Sequence, residues 1–369
     1  MRYFLSEIAQ IVGGELVGCD LEVTSVATDS RSYAMTHDTL FVAMRGVNHD
    51  AHDHIAEVAE RGVKAFMVEH KPSFSIPMEC YGVIIVKNSL TALQALAEHH
   101  RKTFNGKVIG ITGSNGKTTI KEWIAQCAPR EARIFRSPRS YNSQLGVALS
   151  LLMLDNNHDV AIIEAGISQK GEMERLAKMI RPDMVIFTSI GDAHQQGFAS
   201  LEEKISEKLL LAKTANTVIY HSAYTPLAEA IKSKFADKNL VDSAQANIAQ
   251  MGDVASQRNA EIVATLFAEM SYNTPNLSQL QPVAMRLEVK PGIKGSIIID
   301  DSYSADLNSL SIALDNLRSV AGKRETVLIL SDILQTGDNN VYKEVARMVR
   351  EAEVGHFVGI GEGLSLARE

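Results

Sequence analysis

Apolar positions along the chain change period repeatedly, and each change marks an element. Ser6 to Val12 has helical spacing stopped by Gly13-Gly14, Glu22 to Thr28 alternates like a strand, and Thr39 to Met44 reads as a second strand. A helix over Ile55 to Arg61 ends at Gly62, strands follow over Val63 to Val68 and Val83 to Val86, and Ser89 to Thr103 has the spacing of a longer helix. Residues 1–103 therefore read as a small mixed domain. From 104 to about 240 strand and helix alternate, the signature of a parallel sheet covered on both faces. Within it, Asp159 to Gly166 is a buried strand and Met184 to His194 another. Leu201 to Lys213 is a helix carrying Lys204, Lys208 and Lys213, a series that by itself reads as a solvated face.

Beyond Tyr220 the pattern weakens. Ala223 to Phe235 is helical, Asp237 to Asp253 has little periodicity, and Arg258 to Phe267 is helical again. Asn273 to Gln281 is the best linker in the chain. Strands over Ala284 to Val289 and Gly295 to Asp301 then open a third α/β alternation: helix Ser309 to Leu317, strand Thr326 to Leu330, helix Val341 to Glu351, strand His356 to Ile360. The expected domains are 1–103, 104–281 with a short stretch after 220, and an incomplete 282–369.

The strongest local chemistry is Gly110 to Thr119, set between the apolar run Lys107 to Ile109 and the helical stretch Ile120 to Ala125. Strand, glycine loop and helix is the context a phosphate cradle needs. Gly113 and Gly116 let the backbone curl with its N–H groups inward, the helix presents its positive end, Lys117 adds a cation and the Thr118 hydroxyl can ligate Mg²⁺. The usual P-loop spacing asks for glycine where Ile111 stands, so the loop is a shorter variant built on Thr112, Gly113, Ser114, Asn115, Gly116, Lys117, Thr118 and Thr119. Ligands of open α/β sheets collect at the carboxyl ends of the strands, which places Glu164 and His194, at the ends of two of them, beside the nucleotide phosphates.

Composition narrows the partners. At 369 residues, 45% apolar and 22% charged, the chain is long enough for two or three globular cores. A net charge of −7 argues against an extended nucleic-acid footprint. Cys19, Cys80 and Cys127 lack metal spacing and read as reduced thiols of a cytoplasmic protein; no apolar run is long enough for a membrane span, and Glu7 comes too early for a secretory leader. Two loops of the first domain, Thr28 to Arg31 and Arg45 to Asp53, each offer an arginine among hydroxyl, carboxylate or imidazole neighbours, a set suited to a phosphorylated small molecule or equally to a solvated surface. Their His and Asp content could also invite a metal, though the spacing fits no standard site.

These residues together resemble the Mur ligase family, the ATP-dependent amide-forming enzymes of peptidoglycan synthesis. The likeness runs through Thr28 to Arg31, Leu40 to Gly46, Thr112 to Thr119, Tyr141 to Val147, Glu164 to Gly166, Gly191 to His194, Lys208, Arg258 to Ala260 and Asp300 to Tyr303, in the family's order. The first domain and Ser137 to Ser143 resemble most the member that joins D-alanyl-D-alanine to UDP-N-acetylmuramoyl-tripeptide, and several stretches resemble chains in which that ligase precedes an alanine racemase. Departures are Ser304 where the family commonly has Asn, Ala51 where it commonly has Gly, a short stretch between Tyr220 and Arg258, and missing final elements.

The resemblance implies three domains, with a central P-loop ATPase and a Rossmann-like third. It implies ATP and two Mg²⁺ as cofactors, with Lys117 and the loop amides on the phosphates, Thr118 on the first Mg²⁺, and Glu164, His194 and a carbamoylated Lys208 on the second. Asn259 would meet the adenine, Arg286 and Asp301 would complete the nucleotide site, and Ser30, Arg31 and His52, joined by Arg45 and Asn142, would bind the uridine diphosphate substrate. Closure of the third domain about Asn273 to Gln281 would exclude water, and the protein would act as a monomer on small molecules. The alternatives are another ligase of the family, such as a folylpolyglutamate synthase, or a shortened relative that binds nucleotide or precursor without ligating.

Overall fold

Capping fixes the first elements. Helix α1 (Leu5–Val12) follows the short β1 (Tyr3–Phe4); Glu7 accepts the Phe4 N–H at 2.7 Å, and Gly13, at φ 65°, ends the helix. After β2 (Glu15–Gly18), the single strand expected over Glu22 to Thr28 is two, β3 (Glu22–Val23) and β4 (Ser25–Ala27). The break has a local cause: Thr24 between them gives its N–H to the Asp38 carbonyl at 2.8 Å and its hydroxyl to the Asp38 carboxylate, so β3 pairs with β1 and β4 with β5 (Thr39–Val42). Helix α2 (Ile55–Glu60), strands β6 (Ala65–Val68) and β7 (Gly82–Ile85), and α3 (Ser89–Thr103) complete the region; Asn88 caps α3 by accepting from the Thr91 N–H at 2.8 Å. The sheet order is β2-β7-β6-β5-β4, parallel except at β2, over a core that includes Phe41, Ile55, Val58, Val63, Phe66 and Val83.

The computed structural model describes residues 1–46, 49–71, 81–191, 197–251, 253–273, 275–277, 280–281, 283, 286–303, 305–322, 324–333 and 340–364. They form two compact units: Met1–Val108 with Arg133–Ile163 and Lys178–Arg181, and Ile109–Ala132 with Glu164–Ala177 and Pro182–Glu369.

Next come β8 (Lys107–Thr112), α4 (Lys117–Cys127), β9 (Ile134–Arg136), α5 (Gln144–Leu152), β10 (Val160–Ala165), α6 (Glu172–Ile180) and β11 (Met184–Phe187). Then follow α7 (Leu201–Leu209) with its 3-10 turn Leu210–Lys213, β12 (Thr217–Tyr220), α8 (Thr225–Lys234), β13 (Asn239–Asp242) and α9 (Val254–Glu269). The order β13-β12-β11-β8-β10-β9 puts β8 where the chain's progression reverses, the switch point at which such sheets bind ligands. Two expectations are corrected. The strand from Met184 stops at Phe187, and the stretch after Asp237 read as aperiodic contains β13, a half-exposed edge strand too short to carry a period.

The last region pairs β14 (Glu288–Pro291) antiparallel with β15 (Ile297–Asp300), then runs through α10 (Leu307–Ala321), β16 (Val327–Ser331), α11 (Asn340–Glu351) and β17 (His356–Ile360), with β16 and β17 parallel. Its core includes Leu310, Leu314, Ile333, Val345 and Leu364. Cys19 and Cys127 are free thiols, and Cys80 lies outside the described residues. Among the described residues no helix is long and apolar enough to cross a membrane.

Candidate active site

The loop between β8 and α4 is pinned by its neighbours on both sides as well as by Lys117 at its end. Thr112 is buried and donates its hydroxyl to the Ala165 carbonyl at 2.8 Å, tying the end of β8 to the end of β10. On the other side the Ser114 N–H meets the Ser189 carbonyl at 2.6 Å, and Thr188 donates its hydroxyl to the Asn115 carbonyl at 2.6 Å. Gly113 and Gly116 turn the chain at φ 151° and 86°, values that favour glycine. A Cβ on Gly113 would stand 1.8 Å from the Thr188 hydroxyl, so no side chain fits there. Among the described residues Asn115 Nδ2 is buried without a hydrogen-bond partner, a donor of the kind an anion would use.

Two lysines reach this loop, and two more bind Gly191 and Glu164. Lys117 gives its ammonium to the Gly113 and Ser114 carbonyls at 2.9 and 2.7 Å, and burial lowers its pKa to about 8 against the pull of Glu164. Lys208 is buried and reaches the Gly113 carbonyl at 3.1 Å; burial, then the charges of Lys117 and Lys204, push its pKa well below the usual lysine value. Lys204, one turn earlier, is 1% exposed with its ammonium on the Gly191 carbonyl. Lys121 is fully buried 2.9 Å from Glu164 Oε1.

The series that reads as a solvated face is therefore corrected on α7, where Lys204 and Lys208 both face inward, and holds only for Lys213, exposed in the 3-10 turn. Lys121 and Lys204 were not picked out as site residues. Their signal was present, because each lies four positions from a lysine that was, and i,i+4 residues share a helix face.

Glu164, one residue before the end of β10, is fully buried, and the Thr118 hydroxyl donates to its Oε2 at 3.1 Å. A hydroxyl and a carboxylate meeting at the foot of a phosphate cradle form a donor set of the hard-oxygen kind that Mg²⁺ prefers. His194, the expected third ligand, lies outside the described residues.

A cavity of about 510 Å³ opens from the loop. Asn115, Gly116 and Thr119 line one end, Tyr224 before α8 and Arg258 and Asn259 of α9 a side, and Arg286, Asp301 and Ser309 the wall from the last region. Asn259 stands against the loop, where a Cβ on Gly116 would meet its Oδ1 at 2.8 Å. Arg286 lies over the Tyr303 ring at 3.9 Å, and Asp301 accepts the Leu287 N–H at 3.1 Å. Burial pushes the Asp301 pKa up to about 6, with the Leu287 N–H and Arg286 pulling the other way.

The remaining site candidates, Ser30, Arg31, Arg45, His52 and Asn142, belong to the first unit. Arg31 is exposed and forks onto Asp29 at 2.9 and 2.8 Å, holding the Asp29 pKa down to about 2. The Arg61 guanidinium fastens the Ser30 and Ser32 carbonyls. Exposed Arg45 donates to Asp50 Oδ2 at 2.9 Å. Asn142 follows the turn closed by its own N–H on the Ser140 carbonyl at 2.7 Å, just before α5.

His52 is buried. Its Nε2 accepts the Glu69 N–H at 2.9 Å, so Nδ1 carries the proton and donates to Asp50 Oδ1 at 2.5 Å. Although burial opposes it, hydrogen bonds from His52 and Arg45 hold the Asp50 carboxyl well below the usual range.

Asp50, His52 and His70 also offer ligand atoms within 4.8 Å of one another. The chemistry is wrong for a metal, since a proton already occupies the Asp50–His52 gap and His52's other nitrogen is taken. His70 stacks on His52, with ring centroids 4.6 Å apart, and its Nδ1 lies 3.3 Å from the Lys71 carbonyl.

Comparison with known proteins fits this geometry. The family description "Mur ligase middle domain" matches residues 111–278. The chain is 28% identical to the UDP-N-acetylmuramoyl-tripeptide--D-alanyl-D-alanine ligase of Bacillus subtilis, over 97% of this chain and 85% of that protein. It is 25% identical to the Escherichia coli protein of the same name, over 97% and 86%. In structure it is similar to MurF from Acinetobacter baumannii, with TM-score 0.87 at 22% identity, covering all of this chain and 87% of that one. It is also similar to the MurF ligase of Thermotoga maritima in complex with ADP, with TM-score 0.76 at 18% identity, over 93% and 95%.

Proposed function

The chain belongs to the Mur ligase family, and from that premise we propose that it is an ATP-dependent ligase joining D-alanyl-D-alanine to UDP-N-acetylmuramoyl-tripeptide. The observation that carries the reading is the pairing of a phosphate loop whose hydroxyl meets a buried strand-end carboxylate with relatives of one name along nearly the whole chain. The loop amides, Asn115 Nδ2 and Lys117 bind the ATP phosphates, and Lys117 gives up its loop carbonyls to do so. Asn259, Arg286 and Asp301 line the rest of the nucleotide cavity.

Thr118 and Glu164, with His194 and Lys208, are the residues that would hold two Mg²⁺. Bound there, Mg²⁺ supplies charge neutralisation to phosphate oxygens. For Lys208 the supporting observation is its burial beside Lys117 and Lys204, which favours the neutral amine, the form that adds CO₂ to become a carbamate ligand.

The terminal carboxylate of the tripeptide attacks the γ-phosphorus and ADP leaves, giving an acyl phosphate. The amine of D-alanyl-D-alanine then forms the C–N bond, loses a proton and expels phosphate. Water must be kept from the acyl phosphate, a task suited to the last region, which already walls the cavity with Arg286 and Asp301. Arg31, Arg45, Ser30 and Asn142 would meet the uridine diphosphate end, with His52 acting through the loop it braces. The enzyme is read as a cytoplasmic monomer acting on soluble precursors.

The test is ADP release from Mg-ATP with each substrate omitted in turn. Release that needs both UDP-N-acetylmuramoyl-tripeptide and D-alanyl-D-alanine is the expected result, and release driven equally by another acceptor amino acid overturns the assignment. Intact mass under bicarbonate should carry one labile CO₂, absent in Lys208→Ala.

A further inference from the structure

Residues 166–171 join β10 to α6, and the reaction above gives them no part. Their course is set from α7. Glu207, 7% exposed, accepts the Gly171 N–H at 2.7 Å and the Met173 N–H at 3.2 Å, both on Oε1. One turn earlier on the same helix face, Glu203 takes the Lys170 ammonium at 2.8 Å. The chain ahead of α7 presses on the segment as well, since a Cβ on Gly197 would stand 1.7 Å from the Ser168 carbonyl oxygen. Glu172 closes the turn from within, accepting the Ser168 and Gln169 N–H groups at 2.6 and 3.1 Å. N–H groups at the start of a helix need an acceptor, and those of α6 find one in a buried carboxylate carried by a second helix. The backbone of the segment is thereby fixed while the side chains of Ser168 and Gln169 stay exposed.

Topology decides what such a segment can meet. Strand β10 neighbours β8, and Thr112 ties their ends together, so 166–171 and the phosphate loop leave adjacent strands side by side. Among the described residues the nucleotide cavity takes its walls from the loop, Ser189, Tyr224, α9 and the last region, and none from 166–171. In phosphoryl transfer the attacking oxygen stands roughly opposite the leaving one. With ADP leaving on the cavity side, the carboxylate that attacks the γ-phosphorus arrives from the other side, over β10. We propose that residues 166–171 form the wall against which the carboxylate of the acyl substrate is aligned, and that Glu207 is the positioning residue that holds this wall in register with the phosphate loop. Lys208, next in the chain, reaches the Gly113 carbonyl at 3.1 Å, so α7 touches both the wall and the loop. This role rests on the acyl-phosphate reaction proposed above.

Reach and charge can be separated at this position. Glu207→Asp keeps the charge and withdraws the oxygen from Gly171 and Met173, whereas Glu207→Gln keeps the reach and drops the charge. With saturating substrates, Glu207→Asp should lose at least about tenfold in kcat, because a misplacement on the order of 1 Å costs up to about 100-fold. Glu207→Gln should stay within about threefold of the wild type, since its amide oxygen has lone pairs for both N–H groups. Mg-ADP affinity should be unchanged in both variants. In the ligand-free protein, amide exchange over 166–173, read by mass spectrometry, should quicken in Glu207→Asp alone.

The reverse order, with Glu207→Gln impaired and Glu207→Asp active, overturns the proposal and means that the carboxylate acts by its charge on Lys208. A loss of Mg-ADP affinity that matches the loss of kcat overturns it too, for the fault then lies in the nucleotide site. If Glu207→Asp does not fold, Gly197→Ala decides: it pushes the same segment at Ser168, so kcat should fall with Mg-ADP affinity intact, and full kcat rejects the wall. A wild type that releases no ADP with the tripeptide removes the ligase reading and the alignment with it. Quickened exchange in Glu207→Asp at full kcat removes only the alignment.

Discussion

Asp301 is a single residue whose environment works against its own charge. It follows β15 directly, accepts the Leu287 N–H at 3.1 Å, and is buried enough that its pKa rises from 3.8 to about 6. The folded protein therefore binds this proton more tightly than the unfolded chain, so stability falls as pH climbs from 3.8 to 6 and stays reduced above that. The penalty is about 2 kcal/mol after allowing for the part still open to solvent. Asp301→Asn keeps the acceptor oxygen and removes the charge, so without ligand it should melt a few degrees higher than the wild type at pH 7.5 and level with it at pH 4. Melting curves at the two pH values check this, and a difference that does not change with pH would mean the carboxyl is not the cause. Such a group is tolerable in a nucleotide cavity, where Arg286 and a bound ligand reset its surroundings.

Strand β8, its loop and helix α4 were legible in the sequence because three independent signals coincide: an apolar run, two glycines before a lysine, and a helical period. What pins the loop was not legible. Thr188 and Ser189 lie far along the chain and carry no motif, yet their hydroxyl and carbonyl hold the Asn115 carbonyl and the Ser114 N–H. Edge strands β9 and β13 were missed for a related reason, being three and four residues long and defined by pairing rather than by their own pattern. The burial of Lys204 was hidden too, since charge spacing gives a helix face but not its direction.

The two glycines can be told apart on this basis. Gly113→Ala drives a Cβ into Thr188 and the Ser189 carbonyl, so it should cost roughly 3 kcal/mol or more and abolish ADP binding. Gly116→Ala meets only the movable end of Asn259 and the left-handed backbone cost, about 1–2 kcal/mol. Urea denaturation with ADP titration separates them, and equal effects would mean that the end of β11 does not hold the loop.

At the scale of the molecule, the chemistry divides as the chain does. The phosphate loop, Glu164, Lys208 and the cavity wall of Arg286 and Asp301 all belong to the second unit, and the loops with Arg31, Arg45 and His52 to the first. If the first unit takes the uridine diphosphate end and the second the nucleotide triphosphate, each ligand has a separate thermodynamic signature. A ligand stabilises what it binds by reducing the ligand-free population, by about 100-fold when present at 100 times its Kd. Amide exchange that requires ligand release slows by the same factor. Mg-ADP should therefore protect residues 113–119, 254–260 and 286–303 while leaving 29–45 at their free rates, and UDP should do the reverse. Hydrogen–deuterium exchange read by mass spectrometry resolves these stretches. Protection by UDP at 113–119 in place of 29–45 would mean that the arginines of the first unit serve only their carboxylate partners, Asp29 and Asp50.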